Sequence, residues 1–478
     1  MPKLFYKPDK GWVGDVIPYC ENGIFYLFYL CSRRDAPEEG TDWNLVTTRD
    51  FVHFDEHGPQ HIRGDEQSPD FNAYTGSVVK DESGNYHLFY TGQNPRYCND
   101  VGAPLQIVMH AVSKDGMQSW QKIPTDAFGA PQEYQTSDWR DPFVFWDEQE
   151  GIWHLILAAR KKSGVDRRQG VVAQYTSTNL HDWNLSEPLW QPDRYITQEC
   201  PDVFFWNGWW YLVYSEFSDS FVTRYRMSRS LKGPWLAPAC GRDSIDGRAF
   251  YAAKTASHNG RRFLFGWIAS REDANDDGAW QWAGTLSILE VVQHENGSLA
   301  FSIPDEVLKA FTQKVWGLPD DHAFTVGRSD GYASRMVAAD VPNSSHVRIS
   351  FEISANKADA GIILRAGEDG NCGHIIRFEP KRNRFVWDRW PRKQTGTEQW
   401  QISGDVPYAV ELERPCALGP GLHKCDIVME DDICVVDVDH EVCLSTRMEA
   451  SWGTSFGVFS NDGSTVFHEM EIFGRREE

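Results

Sequence analysis

Three carboxylates in this chain stand in the same relation to a repeated strand signature. Asp15 lies in GWVGDVIPYCENG, Asp141 in SDWRDPFVFW and Glu199 in QECPDVFFWNG. Each sits 8 to 10 residues before a turn glycine (Gly23, Gly151 or Gly208), with a proline one to three residues after it. Proline cannot donate to a strand ladder, so it marks a strand start or an irregular point where a neighbouring side chain can be turned into a cavity. Two carboxyls facing one sugar suffice to break a glycosidic bond: a protonated one assists departure, and an ionised one attacks the anomeric carbon or activates water. Glu199, crowded by Asp202 and followed by VFFW, is the candidate proton donor, because burial and like charge raise a carboxyl pKa. Asp15, close to Trp12 and followed by Val16 and Ile17, is the candidate nucleophile. Asp141, flanked by Arg140, is suited to holding sugar hydroxyls while staying ionised. One such acid alone reads as a solvated or capping group; the matched register of three argues for a shared site.

The elements that must position these acids form a repeat. Five segments begin with a turn glycine and continue as an aromatic-rich strand: GIFYLFYL from Gly23, GNYHLFYTG from Gly84, GIWHLILAAR from Gly151, GWWYLVYSE from Gly208 and GRRFLFGWI from Gly260. Their starts are 61, 67, 57 and 52 residues apart, room for one four-stranded blade plus loops. The expected fold is therefore all-β, with a five-bladed β-propeller over residues 1–302 and the acids, together with Asp246, at the channel ends of the inner strands. PDEVLKAFTQKVW, residues 304–316, reads as a short helix within a connector at 303–319. Alternating runs such as HVRISFEISA and HIIRFEP then predict a C-terminal β-sandwich over 320–478.

Composition bounds the partners. With 478 residues the chain exceeds a single ordinary core. A formal net charge of −22 excludes nucleic acid and anionic membrane as natural partners and favours a neutral substrate. A homo-oligomer is compatible with this surface. The start MPKLFYKPDKGW has no charged leader followed by an apolar region, so a cytoplasmic location is expected. The ten cysteines contain no CxxC pair; Cys416, Cys425, Cys434 and Cys443 recur every nine residues and read as reduced structural thiols, not a zinc site. Among tryptophans near the motifs (Trp12, Trp43, Trp139, Trp280 and Trp282), Trp12 and Trp139 carry the weight as sugar-stacking candidates.

WRDPFVFW with Arg140-Asp141-Pro142, ECPD with Glu199-Cys200-Pro201, GRAFYAAKTASHNGRRFLFGWIAS and WAGTLSILEVVQHENGSLAFSIPDEV together resemble glycoside hydrolase family 32, the β-fructofuranosidases and fructan hydrolases. The resemblance implies Asp15 as nucleophile, Glu199 as acid/base, Asp141 as transition-state stabiliser and Arg140 as part of the site. It also implies retention of anomeric configuration through a covalent fructosyl-enzyme, with no metal or other cofactor. YTGS, Tyr74 to Ser77, resembles the family's aromatic-Ser-Gly-Ser turn with Thr75 in the serine's place, which makes Ser77 a candidate substrate contact along with Asp202.

The departures concern substrate. GWVGDVIPY keeps Trp12 and Asp15 but puts Gly14 where the family has an asparagine that contacts the fructosyl unit, and Ile288-Leu289 replaces the usual Pro-Arg. A divergent member acting on fructosyl linkages of sucrose-like oligosaccharides or fructans is the reading. A fructosyltransferase, an inverting pentofuranosidase on a related propeller and a catalytically silent sugar-binding propeller use the same residues.

Overall fold

The computed structural model describes residues 3–239, 241–319, 322–355, 358–391 and 410–476. The repeated glycine closes a hairpin. Asn22-Gly23, Asn207-Gly208 and Asn259-Gly260 are two-residue turns with both φ angles positive, the geometry whose twist matches paired strands and which asparagine and glycine adopt cheaply. Apolar runs such as Ile24–Ser32, IFYLFYLCS, then enter sheets covered on both faces.

The protein is a five-bladed β-propeller followed by a β-sandwich. Five inner strands, Trp12–Glu21, Asn72–Lys80, Tyr134–Asp147, Glu199–Trp206 and Phe250–His258, each pair antiparallel with the next strand in sequence. Ring closure joins the last blade to the first: Val13 pairs with Gly284, and Leu286 N–H donates to the Tyr6 carbonyl at 2.9 Å. Adjacent blades pack through wedges of large side chains. Ile17, Phe28, Trp43 and Tyr90 fill one wedge; Phe89, Trp139, Val144 and Leu155 fill the next. Each such side chain contributes about 1.5–3 kcal/mol on burial.

In the sandwich, the long strand Ser455–Gly474 pairs with Gln313–Gly317, Phe324–Ala338, Ser345–Ile353 and Asp359–Ala366 and ties its sheet together. The expected helix is shorter than its sequence suggests. Asp305–Lys309 is helical, but Gln313–Gly317 is a strand, because pairing with the edge of the terminal strand outweighs a weak local helical preference. The nine described cysteines are free thiols.

Buried charge joins the two parts. The Arg414 guanidinium donates to the carbonyls of Ser244, Ile245 and Asp246 and to Ser244 Oγ, at 2.6 to 3.0 Å. Asp246, expected in the channel, instead accepts Ser445 N–H at 2.9 Å and belongs to this interface. Arg447 likewise donates to Ala269 O and Thr285 Oγ1 at 3.0 and 2.8 Å. Arg414→Met strands three carbonyls and leaves Asp246 without its cation, which should cost on the order of 3 kcal/mol in urea unfolding; a loss near zero would show that this interface is not held by Arg414.

Candidate active site

All five inner strands break register at a matching place: between Gly14 and Val16, Tyr74 and Gly76, Arg140 and Phe143, Glu199 and Asp202, and Tyr251 and Lys254. A bulge leaves a residue unpaired and re-aims side chains that regular pleating would bury in the blade. At these breaks stand Asp15, Thr75, Asp141, Cys200 and Ala252; the last three have positive φ angles of 63°, 49° and 52°. Glycine is required beside the second break, because a Cβ on Gly76 would lie 1.8 Å from the Phe89 carbonyl oxygen.

The breaks bring the predicted acids together. Asp15 accepts Thr75 Oγ1–H at 3.2 Å and Trp267 Nε1–H at 3.1 Å. The Trp267 ring meets Tyr251 edge-on at 5.7 Å, and the Tyr251 hydroxyl donates to Glu199 Oε2 at 2.7 Å. On the other side of Glu199, Arg140 Nη2 donates to Oε1 at 3.0 Å, while its Nε lies 3.9 Å from Asp141 Oδ2. Asp141 accepts Cys200 N–H at 2.9 Å, and its own N–H donates to Thr91 Oγ1 at 2.8 Å. The fourth blade thereby aims its carboxyl, and the second blade holds its backbone.

Electrostatics differ among these groups. Burial first, then the Asp141 and Glu199 carboxylates, push Asp15 up to about 6; the Trp267 hydrogen bond and the Lys254 ammonium oppose them. Burial also raises Glu199 above its ordinary value, with Arg140 working against the shift and Asp141 adding to it. Although burial opposes its charge, Arg140 is raised well above the usual arginine value by Asp138, Glu199 and Asp141. Burial raises the Cys200 thiol, and Asp15 and Asp141 raise it further, so it stays neutral.

Four sequence candidates have other duties. Trp139 is fully buried, packed on Tyr134 at 5.1 Å, because it neighbours Arg140 on a strand and must face the opposite side. Ser77 donates to Pro142 O at 3.1 Å and accepts Val144 N–H at 2.9 Å, which couples two inner strands and leaves no hydrogen for a sugar. Asp202 lies past the register break and accepts Thr255 N–H at 2.5 Å between the fourth and fifth blades. The Trp12 ring is given to cations, with Lys7 Nζ at 3.9 Å and the Arg34 guanidinium at 5.0 Å from its centre.

Thr75, Lys254, Trp267, Tyr251 and Trp282 belong to the site without having been selected as contacts from sequence. Thr75 had a signal, since it lies nine residues before Gly84, the spacing that marks the acids. Lys254 had none; it is fully buried and donates to Gly76 O at 2.6 Å across the ring. Trp282, 42% exposed, meets Trp267 edge-on at 6.3 Å and explains Gly14: a Cβ there would lie 2.7 Å from the Trp282 ring.

Carboxyls are thus drawn from separate blades into one channel, with a buried guanidinium between two of them. Over residues 5–302 the chain matches the glycosyl hydrolases family 32 N-terminal domain, and it belongs to that family. A levanbiose-producing levanase of Bacillus subtilis (strain 168) is 25% identical over 343 residues, 65% of this chain and 61% of that protein, so the matched part is under two thirds of the relative. A sucrose-6-phosphate hydrolase of Staphylococcus xylosus is 25% identical over 378 residues, 75% of this chain and 73% of that one. The structure of fructan 1-exohydrolase IIa from Cichorium intybus shares the fold, with a TM-score of 0.77 at 17% identity over 99% of this chain and 97% of that chain.

Gly14→Asn alone should lower Tm, and Trp282→Ala in the same chain should restore part of the loss. A double-mutant cycle reads this as a coupling of roughly 1 kcal/mol or more; additivity would mean that Trp282 does not occupy the asparagine's space.

Proposed function

We propose that the protein is a retaining glycoside hydrolase that cleaves terminal β-fructofuranosyl linkages in sucrose-like oligosaccharides or fructans. The observation that carries this reading is the continuous path of contacts from Asp15 through Trp267 and Tyr251 to Glu199, and from Glu199 through Arg140 to Asp141. The names of relatives and structural neighbours, among them a kestose complex of the Cichorium intybus enzyme, supply the sugar class.

In the first step Asp15 attacks the anomeric carbon while Glu199 gives its proton to the departing oxygen, so one carbon–oxygen bond forms as another breaks. In the second, the Glu199 carboxylate takes a proton from water, whose oxygen displaces Asp15. Arg140 then steadies the ionised Glu199 that the first step creates. Asp141, with its carboxyl direction set by Cys200 N–H, holds fructosyl hydroxyls. Trp282, exposed and backed edge-on by the buried Trp267, offers the aromatic face near Asp15 on which an apolar sugar face packs.

Product chromatography on sucrose, kestose, inulin and levan should show fructose released from at least one. Glu199→Gln, with Tm unchanged, should lose roughly 10²–10⁴-fold in rate because general acid assistance is gone. Oligosaccharides lengthened by fructose would point to transfer instead, and full activity in the variant would remove Glu199 from its role.

Attack needs Asp15 ionised, so kcat/KM should fall as pH drops through about 6. Donation needs Glu199 protonated, so kcat/KM should fall again above the raised Glu199 value. Lys254 favours the ionised form of Asp15. Lys254→Met should therefore raise the Asp15 pKa and move the acidic limb to higher pH; a limb that stays in place or moves down would contradict this arrangement.

A further inference from the structure

Outside the channel, five titratable side chains form a continuous line between the second and third blades. His87 stands on Tyr86–Cys98 and His110 on the adjacent Pro104–Ser113; Asp81 lies in the turn before His87. Asp126 closes the short turn Pro124–Asp126, and His181 follows Gly170–Ser177 of the third blade. Asp81 Oδ2 lies 3.3 Å from His87 Nε2, His87 Nδ1 lies 2.9 Å from His110 Nε2, and His110 Nδ1 lies 2.8 Å from Asp126 Oδ2. His181 Nδ1 reaches the same Asp126 oxygen at 2.6 Å. Stacking fixes the inner rings, with His110 parallel to Phe89 at 4.2 Å and to His87 at 5.1 Å.

Counting hydrogens exposes a deficit in this line. Three contacts run from Asp81 to Asp126 through two imidazoles, and each contact needs one hydrogen. Two neutral rings bring two. A third would make an imidazolium, which burial disfavours, and the His87 and His110 side chains are only 5% and 0% exposed. If His87 donates to Asp81 and His110 donates to His87, the His110 Nδ1 lone pair is left aimed at the Asp126 carboxylate. Two acceptors then face each other at a point where His181 also converges.

The geometry points to a divalent metal site of the zinc class, with His110 Nδ1, the Asp126 carboxylate and His181 Nδ1 as ligands. The three ligand atoms lie within 4.8 Å of one another. Imidazole nitrogen and carboxylate suit Zn²⁺ at about 2.0–2.1 Å, with a water completing four-coordination. Ligand atoms at that radius stand about 3.3 Å apart in a tetrahedron, so the present contacts open by roughly half an ångström. A cation at Nδ1 supplies the missing positive partner, and His110 can then give its other N–H to His87 and, through it, engage Asp81. Such a line of outer groups orients metal-bound histidines elsewhere in proteins. The His181 side chain is 43% exposed, which opens a path for the ion. The site pins the third blade to the second and contributes no group to the sugar channel.

The test uses the full chain, stripped with chelator and titrated with Zn²⁺ by calorimetry alongside thermal unfolding. Wild type should take up zinc at this site and gain Tm. His181→Ala, at an exposed position, should lose one zinc equivalent and that Tm gain while keeping the metal-free Tm. Asp81→Asn should retain the equivalent but bind it roughly 10–100-fold more weakly. Zinc anomalous scattering from a soaked crystal should place the ion between His110 and His181. No zinc uptake by wild type, or uptake unchanged in His181→Ala, would overturn the site and leave the line to an added proton.

Discussion

Three carboxyl groups share one enclosed channel here because a guanidinium and an ammonium are enclosed with them. Arg140 is the central piece. It binds Asp138 behind the site, donates to Glu199 and approaches Asp141. Asp138 is in turn held by Arg160. Burial pushes the Glu199 carboxyl towards its neutral form, and Arg140 works against that push. Lys254, anchored on Gly76 O, plays the same part on the Asp15 side. Two acids raised by burial are thus each held back towards the ionised form by a different cation.

The propeller supplies the geometry that this balance needs. Regular pleating would send alternate side chains into the blade wedges, and an acid there would be buried without a partner. The register breaks remove that constraint at one depth in all five blades. They also create the ties that lock neighbouring inner strands: Thr75 to Asp15, Ser77 to Pro142 and Val144, Cys200 N–H to Asp141, and Thr255 N–H to Asp202. The residues that hold the site rigid are thus the neighbours of those proposed to perform chemistry.

Much of this was legible from spacing. The glycine-led strands predict the blades, and the common distance from acid to glycine predicts a common depth for Asp15, Asp141 and Glu199. The same count would have found Thr75. Trp139 was misplaced for a reason visible in the sequence: it neighbours Arg140, so both cannot face the channel. Ser77 and Asp202 were misread because blade-to-blade hydrogen bonds consume them, and those partners lie 65 and 53 residues away. Lys254 looks like an ordinary surface lysine until the ring closes over it. Gly14 was legible as a departure, but its cause, the Trp282 ring, lies on the far side of the ring closure. The histidine line escaped notice because its members come from separate turns and strands that only folding aligns.

The most direct test of the account is to trap the sugar on the protein. Glu199→Gln, incubated with a fructoside whose leaving group needs no proton, should accumulate a covalent adduct of one fructosyl unit, visible by intact-mass spectrometry. Peptide mapping should place it on Asp15. An adduct on another residue would contradict the assignment of Asp15, and turnover with inversion of the anomeric centre and no adduct would contradict the covalent mechanism.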